Sequence, residues 1–452
     1  MKKSFFTSVF NQQSLQEDLI AIIDKSSNKK FSYKKLYEDV LTMSNLIKHE
    51  INKYHKEPAS GIVAINTNKN SNFIVAQLAC SALGLAFLPL DNKQKQRNSE
   101  ILNEIKPLVI ISDDSIVAFQ SFNSMDKDCE YLIYSSGSTG KPKGIIMKGE
   151  PAISIVSQQA KLIGIKPKDK YLWLLSPAFD ASLSDIYSTL TSMGTLVIPN
   201  FDTHEIKKLC KTIEEDSINF LDLPPSMFSL FYKNISKFNV DSIKAIVFGG
   251  ETAPEKITQE LSKKFNLFLA YGPTETTICS SMKKIDSTTK SSDIGLPLDG
   301  VSYHIVDNEL LITGNIISLG YYNNEVLNNS KFININDRLW FKTGDCVLYD
   351  GNSYHYKGRV DRQFKFHSQL ISPEEVEMKA LSFGATLCHV AFDGKIHLYY
   401  QGNLNIDAFK SSLATYMIPH FFYDINHIQD ISQLLNSNHK VDHKLFLNKI
   451  NK

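Results

Sequence analysis

The 452-residue chain carries 49 Lys and Arg against 48 Asp and Glu, a net charge of +1, and 42% of its residues are hydrophobic. That balance provides no global field for nucleic acid or an anionic membrane, while the apolar content is ample for a packed core. Six cysteines are scattered without a CxxC pair, which argues against a zinc site or a disulfide framework and fits a reducing compartment. The start, MKKSFFTSVFNQQ, lacks a sustained apolar run, so neither a signal peptide nor a membrane span is expected, and the reading is a cytoplasmic protein.

In chain order, Tyr33–Leu41 running on to Ile47 alternates at helical spacing and predicts an amphipathic helix. Ile62–Ile65 predicts a buried strand, Asn72–Leu85 a helix rich in Ala and Leu, and Ala86–Asp91 a second strand. Strand, helix and strand at this spacing form a βαβ unit, so an α/β fold with a largely parallel sheet is expected. Tyr131–Tyr134 predicts another strand. After it, Ser135, Ser136, Ser138 and Thr139 supply hydroxyls, Lys141 and Lys143 supply charge, and Gly137, Gly140 and Gly144 let the backbone approach a ligand. A strand entering such a loop suits nucleotide phosphates, although no Gly-Lys-Ser/Thr closes it as in a Walker A loop. A Gly/Ser surface loop is the plainer alternative.

Lys170–Pro177 predicts a strand. Asp180, just beyond it, is placed either to face a cleft at the sheet's carboxyl edge or to cap a helix starting near Ser182. Ile218–Pro225 predicts a strand with a Pro-Pro stop. Ile243–Glu251 predicts one ending in Gly249 and Gly250, which let the backbone lie against a planar ring. Leu267–Thr277 repeats the pattern of strand, aromatic, Gly-Pro and hydroxyl-acid. Glu309–Tyr322, Trp340–Asp345 and Tyr356–Asp361 follow. Cys388–Phe392 and Ile396–Tyr400 predict a hairpin around Asp393-Gly394, with a helix near Asp407–Tyr416. Lys440 lies in a polar tail, where a lysine taken alone reads as solvated charge.

SSGSTGKPKG at 135–144 resembles the phosphate-loop signature of the adenylate-forming superfamily, whose members include acyl-CoA synthetases, luciferases and the adenylation domains of nonribosomal peptide synthetases. Further segments match in the family's order over roughly residues 80–444. The resemblance implies a large N-terminal lobe, residues 1–360, with mostly parallel sheets flanked by helices. A small α+β lobe, residues 361–452, is joined to it by a hinge at Asp361. The implied reaction is amino acid plus MgATP to aminoacyl-AMP and pyrophosphate, so ATP and Mg²⁺ are the expected cofactors. By resemblance Ser135–Lys141 and Lys143 hold phosphates; Gly249, Gly250, Glu251, Tyr271 and Gly272 surround adenine. Thr274 meets the α-phosphate, Glu275 holds Mg²⁺, and Asp345 and Arg359 hold the ribose. Lys440 bridges the substrate carboxylate and α-phosphate.

The same resemblance places Asp180 on the α-ammonium and lines the side-chain pocket with Ala181, Ser184, Asp222, Val247, Gly249, Ala270, Ile278 and Cys279. Asp222 is a second acid there, and an unpaired buried carboxylate is costly. The expected substrate therefore presents a distal donor: a basic or phenolic amino acid. The family usually carries Arg-Gly where this chain has His367-Ser368, beside the path of a pantetheine arm. No carrier segment follows the lysine loop before Lys452, so a carrier protein bearing phosphopantetheine in trans is the expected partner. A D-alanine–carrier-protein ligase, an acyl-CoA ligase and a non-catalytic adenylate-binding relative are the alternatives.

Overall fold

The computed structural model describes residues 3–426 except 17, 56–59, 136–141, 203–204, 251–252, 291, 361–362 and 368. Among these residues, the first sheet has eight strands. Asn266–Tyr271, Ala245–Gly249, Phe220–Asp222, Lys170–Leu172, Thr195–Ile198 and Ile20–Asp24 run parallel in that order, with Ser281–Ile285 and Lys29–Ser32 as antiparallel edges. A second sheet of seven strands has Tyr131–Ser135, Ala86–Pro89, Ile62–Asn66 and Val109–Ser112 as its parallel centre. Parallel strands covered on both faces need continuous apolar runs, and Ile62–Asn66 reads IVAIN with its first four residues buried. The α/β fold class of the sequence reading holds.

Helices pack between these sheets. Ser71–Leu83 starts at Asn70, whose side chain accepts from the Phe73 amide, and ends at Gly84 in the left-handed conformation, φ 68°. Tyr33–Asn52 buries Tyr33, Leu36, Val40, Ile47 and Ile51, the single face its spacing predicts. Phe5, in the short helix Phe5–Val9, stacks on Tyr187 of helix Ala181–Thr191 at 4.0 Å and also meets Phe87 and Tyr131, tying the N-terminal segment to that helix and to the second sheet.

Two expected strands are shorter than their apolar runs. Lys170–Pro177 keeps only Lys170–Leu172, because Trp173 turns into the core and its indole donates to Ser182 Oγ at 3.0 Å. Ile218–Pro225 keeps only Phe220–Asp222, since Pro224 and Pro225 have no amide to donate to a ladder. The structure also adds an antiparallel sheet that sequence reasoning had not singled out. It contains Val301–Val306, Glu309–Gly314, Arg338–Tyr349 and Tyr354–Arg359, and its register sets Asp345 opposite Arg359.

A separate apolar core, including Ile371, Val376, Leu398, Phe409 and Met417, gathers residues 371–417. Ala385–Phe392 and Ile396–Gly402 form the expected antiparallel hairpin there, and Phe421–Asp424 joins it in parallel. No described helix is long and apolar enough to cross a membrane.

Candidate active site

The carboxyl ends of parallel strands from both large sheets open into one cavity of about 1120 Å³, the position where open α/β sheets bind ligands. It is larger than the typical pocket of about 300–1000 Å³ for one drug-sized molecule. All the residues predicted for the side-chain pocket stand on its wall. Asp180, Ala181 and Ser184 come from the start of helix Ala181–Thr191, and Asp222 from the end of its strand. Val247, Gly249 and Ala270 come from the next two strands, and Ile278 and Cys279 from the loop beyond.

Local backbone geometry supports this wall. A Cβ on Gly249 would lie 2.2 Å from the Ala270 carbonyl oxygen, and one on Gly272 2.7 Å from Cys279 Cα. Gly249 is therefore required by strand packing, beyond any ring laid against it. Thr277 and Ile278 sit at φ 56° and 66°, rare for β-branched residues and a form of strain that gathers at ligand sites.

Asp180 fulfils the capping alternative and leaves an atom over. Its Oδ1 accepts from the Ala181 amide at 2.9 Å, whereas Oδ2 is buried with no hydrogen bond of normal geometry. Burial pushes this carboxyl up to about 6, although Thr274 and the Ala181 and Ile278 amides oppose the shift. Asp222 is likewise pushed up to about 6 by burial. Between them, Ser184 donates to Gln159 Oε1 at 2.6 Å, and Gln159 Nε2 donates to Cys279 Sγ at 3.1 Å.

Also on the cavity wall, Lys143 Nζ is 3.0 Å from Glu275 Oε1, and the Tyr321 hydroxyl donates to the same oxygen at 2.6 Å. Burial opposes ionisation of Glu275, but Lys143 and Tyr321 outweigh it and hold the carboxyl below its ordinary range. Asp345 accepts from the Tyr271 hydroxyl at 2.6 Å and pairs with Arg359 at 2.5 Å. The Tyr271 ring stands behind the cavity wall, with the Lys365 ammonium 5.4 Å from its centre. Gly250, Gly272 and Thr274 also line the cavity. So does Ser135, whose buried hydroxyl has no partner among the described residues. Ser136, Gly137, Ser138, Thr139, Gly140, Lys141, Glu251, Asp361 and Lys440 lie outside the described residues.

Sequence reasoning singled out His367 but missed Lys365, both of which the hairpin of Phe364–Phe366 and Gln369–Ile371 brings to the cavity. Lys365 and His367 are on its wall, and His367 Nδ1 lies 3.3 Å from Ser226 Oγ. Tyr416 packs edge-on against Phe179 at 6.1 Å, and a buried ion pair joins Arg97 to Glu375 at 3.1 Å. The cation of Lys365 beside the expected adenine tyrosine was the available signal. The register of the hairpin, which directs it there, was not readable.

The AMP-binding enzyme family model matches residues 120–322, which include the loop, Asp180, Glu275 and Tyr321. Tyrocidine synthase 2 of Brevibacillus parabrevis is 26% identical over 438 residues, 85% of this chain. The chain is a homologue of the AMP-binding enzymes. It spans 12% of the length of tyrocidine synthase 2. The Vibrio cholerae adenylation domain AlmE, solved with glycyl-adenosine-5'-phosphate, superposes with a TM-score of 0.81 at 18% identity over 99% of this chain and 97% of that one. The o-succinylbenzoate–CoA synthetase of Bacillus subtilis gives 0.82 at 20% identity over 98% of each chain. Both structures share the fold of this AMP-binding homologue.

Proposed function

We propose that the chain activates an amino acid with ATP, forming aminoacyl-AMP and pyrophosphate. The observation that carries this reading is the orphaned, buried Asp180 oxygen, which shares one cavity with Glu275 and the Asp345–Arg359 pair. A buried carboxylate without a cation beside it is expensive, and an α-ammonium would relieve it. The substrate carboxylate attacks the α-phosphorus and pyrophosphate leaves, so the protein's contribution is position and charge compensation. Asp345 and Arg359 orient the ribose, Thr274 meets the α-phosphate, and Lys440 offsets charge on the attacking oxygen.

Among the described residues no group of three His, Cys, Asp or Glu side chains is arranged to hold a metal. Glu275, held ionised by Lys143 and Tyr321, offers one carboxylate to Mg²⁺, in the manner of sites where phosphates complete the shell. When bound, that ion would neutralise phosphate charge. Its single carboxylate is already held in place by Tyr321.

The reading extends to a basic or phenolic substrate facing Asp222, and to transfer of the acyl group to a carrier-protein thiol. It places residues 361–452 in a small lobe that turns at Asp361. Amino-acid-dependent ATP–pyrophosphate exchange tests the proposal. Best turnover with an aliphatic amino acid would refute the pocket assignment, and exchange confined to D-alanine would favour the carrier-ligase alternative.

A further inference from the structure

Asp185, in the middle of helix Ala181–Thr191, has no part in the site described so far. It follows Ser184, is wholly buried, and neither of its carboxyl oxygens has a hydrogen bond of normal geometry. The groups that act on it are the Asp222 carboxyl, the Tyr171 hydroxyl, the Leu175 amide and, farther off, the Lys69 ammonium. Lys69 itself lies over the Trp173 ring at 4.8 Å. On the cavity side, the Cys279 thiol stands within the field of both Asp222 and Asp180. Asp222 is on the cavity wall and Asp185 is behind it.

Two carboxyl groups facing each other away from water do not both ionise; they hold one proton between them. The deeper group keeps it, because the shallower one can be solvated through the cavity. Burial and the Asp222 charge both raise the Asp185 carboxyl well above its ordinary value, and its contact with Asp222 in turn favours the charged form of that residue. We propose that Asp185 is a positioning residue: as a neutral carboxylic acid it donates to Asp222, keeping that carboxylate charged toward the cavity for a substrate side chain ending in an N–H or O–H donor. The proposal rests on the amino-acid adenylation reading and adds the residue that sets the charge of its pocket.

Two variants and two readouts test it. Asp185→Asn keeps a donor, and Asp185→Ala removes it. In exchange with the best amino acid at pH 7, Asp185→Ala raises KM about tenfold or more, the cost of one hydrogen bond to a charged group. It leaves kcat nearly unchanged and moves the acid limb of 1/KM to higher pH. Asp185→Asn restores most of the affinity. Unchanged KM and limb in folded Asp185→Ala, or no rescue by Asn, overturns the proposal. The second readout needs no substrate. At pH 8 the wild-type protein shows the infrared band of a protonated carboxyl, and Asp185→Asn lacks it. A missing band, or one that survives in Asp185→Asn, overturns the proton assignment. Absence of exchange by the wild-type protein, by contrast, counts against the adenylation reading itself.

Discussion

Asp180→Asn separates binding from stability. The wild-type carboxyl moves from an ordinary 3.8 to about 6 on folding, chiefly by burial. Its folded value is raised, so the folded state binds the proton more tightly and stability falls as pH climbs from 3.8 toward 6. At about 1.36 kcal/mol per pKa unit, the protein loses about 3 kcal/mol by pH 7.5 and about 1.6 kcal/mol at pH 5. Asparagine carries no charge and still caps the helix, because its oxygen can accept from the Ala181 amide. Its amide nitrogen takes the place of the oxygen that has no partner. The ligand-free variant is therefore expected to be more stable than wild type by about 2–3 kcal/mol at pH 7.5, shrinking to about half of that at pH 5. Amino-acid-dependent exchange should be lost in the same variant. Urea denaturation at the two pH values, with exchange on the same preparations, measures both. A variant less stable than wild type at pH 7.5, or an advantage that does not shrink on acidification, would show that the buried Asp180 charge does not limit stability.

Three other perturbations probe the frame of the site. Lys143→Met leaves the buried Glu275 without its cation and should cost about 3–5 kcal/mol in urea denaturation; adding Glu275→Gln should recover much of that loss. Glu375→Gln breaks the buried pair with Arg97, so hydrogen exchange should accelerate in the cavity-lining hairpin 364–371 while the sheets stay protected; unchanged protection would contradict this link. Gly249→Ala drives a methyl into the Ala270 carbonyl and should destabilise strongly, whereas Gly351→Ala, with nothing within 4 Å, should cost only the strain of φ 96°.

Much of the parallel architecture was legible because Ile62–Asn66, Ala86–Pro89 and Tyr131–Ser135 are uninterrupted apolar runs. The wall of the predicted pocket was legible because each of its residues follows such a run within a recognisable motif. The antiparallel sheet was harder: Val301–Val306 alternates exposed and half-buried residues, so no single stretch announces its pairing. Gln159 could not be found from local signals, because it sits on helix Gly149–Ile163 and reaches Ser184 and Cys279 only through tertiary packing. Asp185 was hidden in the same way: its interest comes from facing Asp222 on another strand, and a buried acid in a helix reads as unremarkable until that neighbour is known.

The proposed aminoacyl adenylate can be looked for in the protein itself. The protein would be incubated with MgATP and an equimolar amino-acid mixture, and the bound nucleotide extracted and weighed by mass spectrometry. An aminoacyl-AMP whose side chain ends in an ammonium, guanidinium or phenol group is expected. Extraction of ATP and AMP alone from active-site-saturated protein, or of an adenylate with a purely aliphatic side chain, would overturn the proposed function.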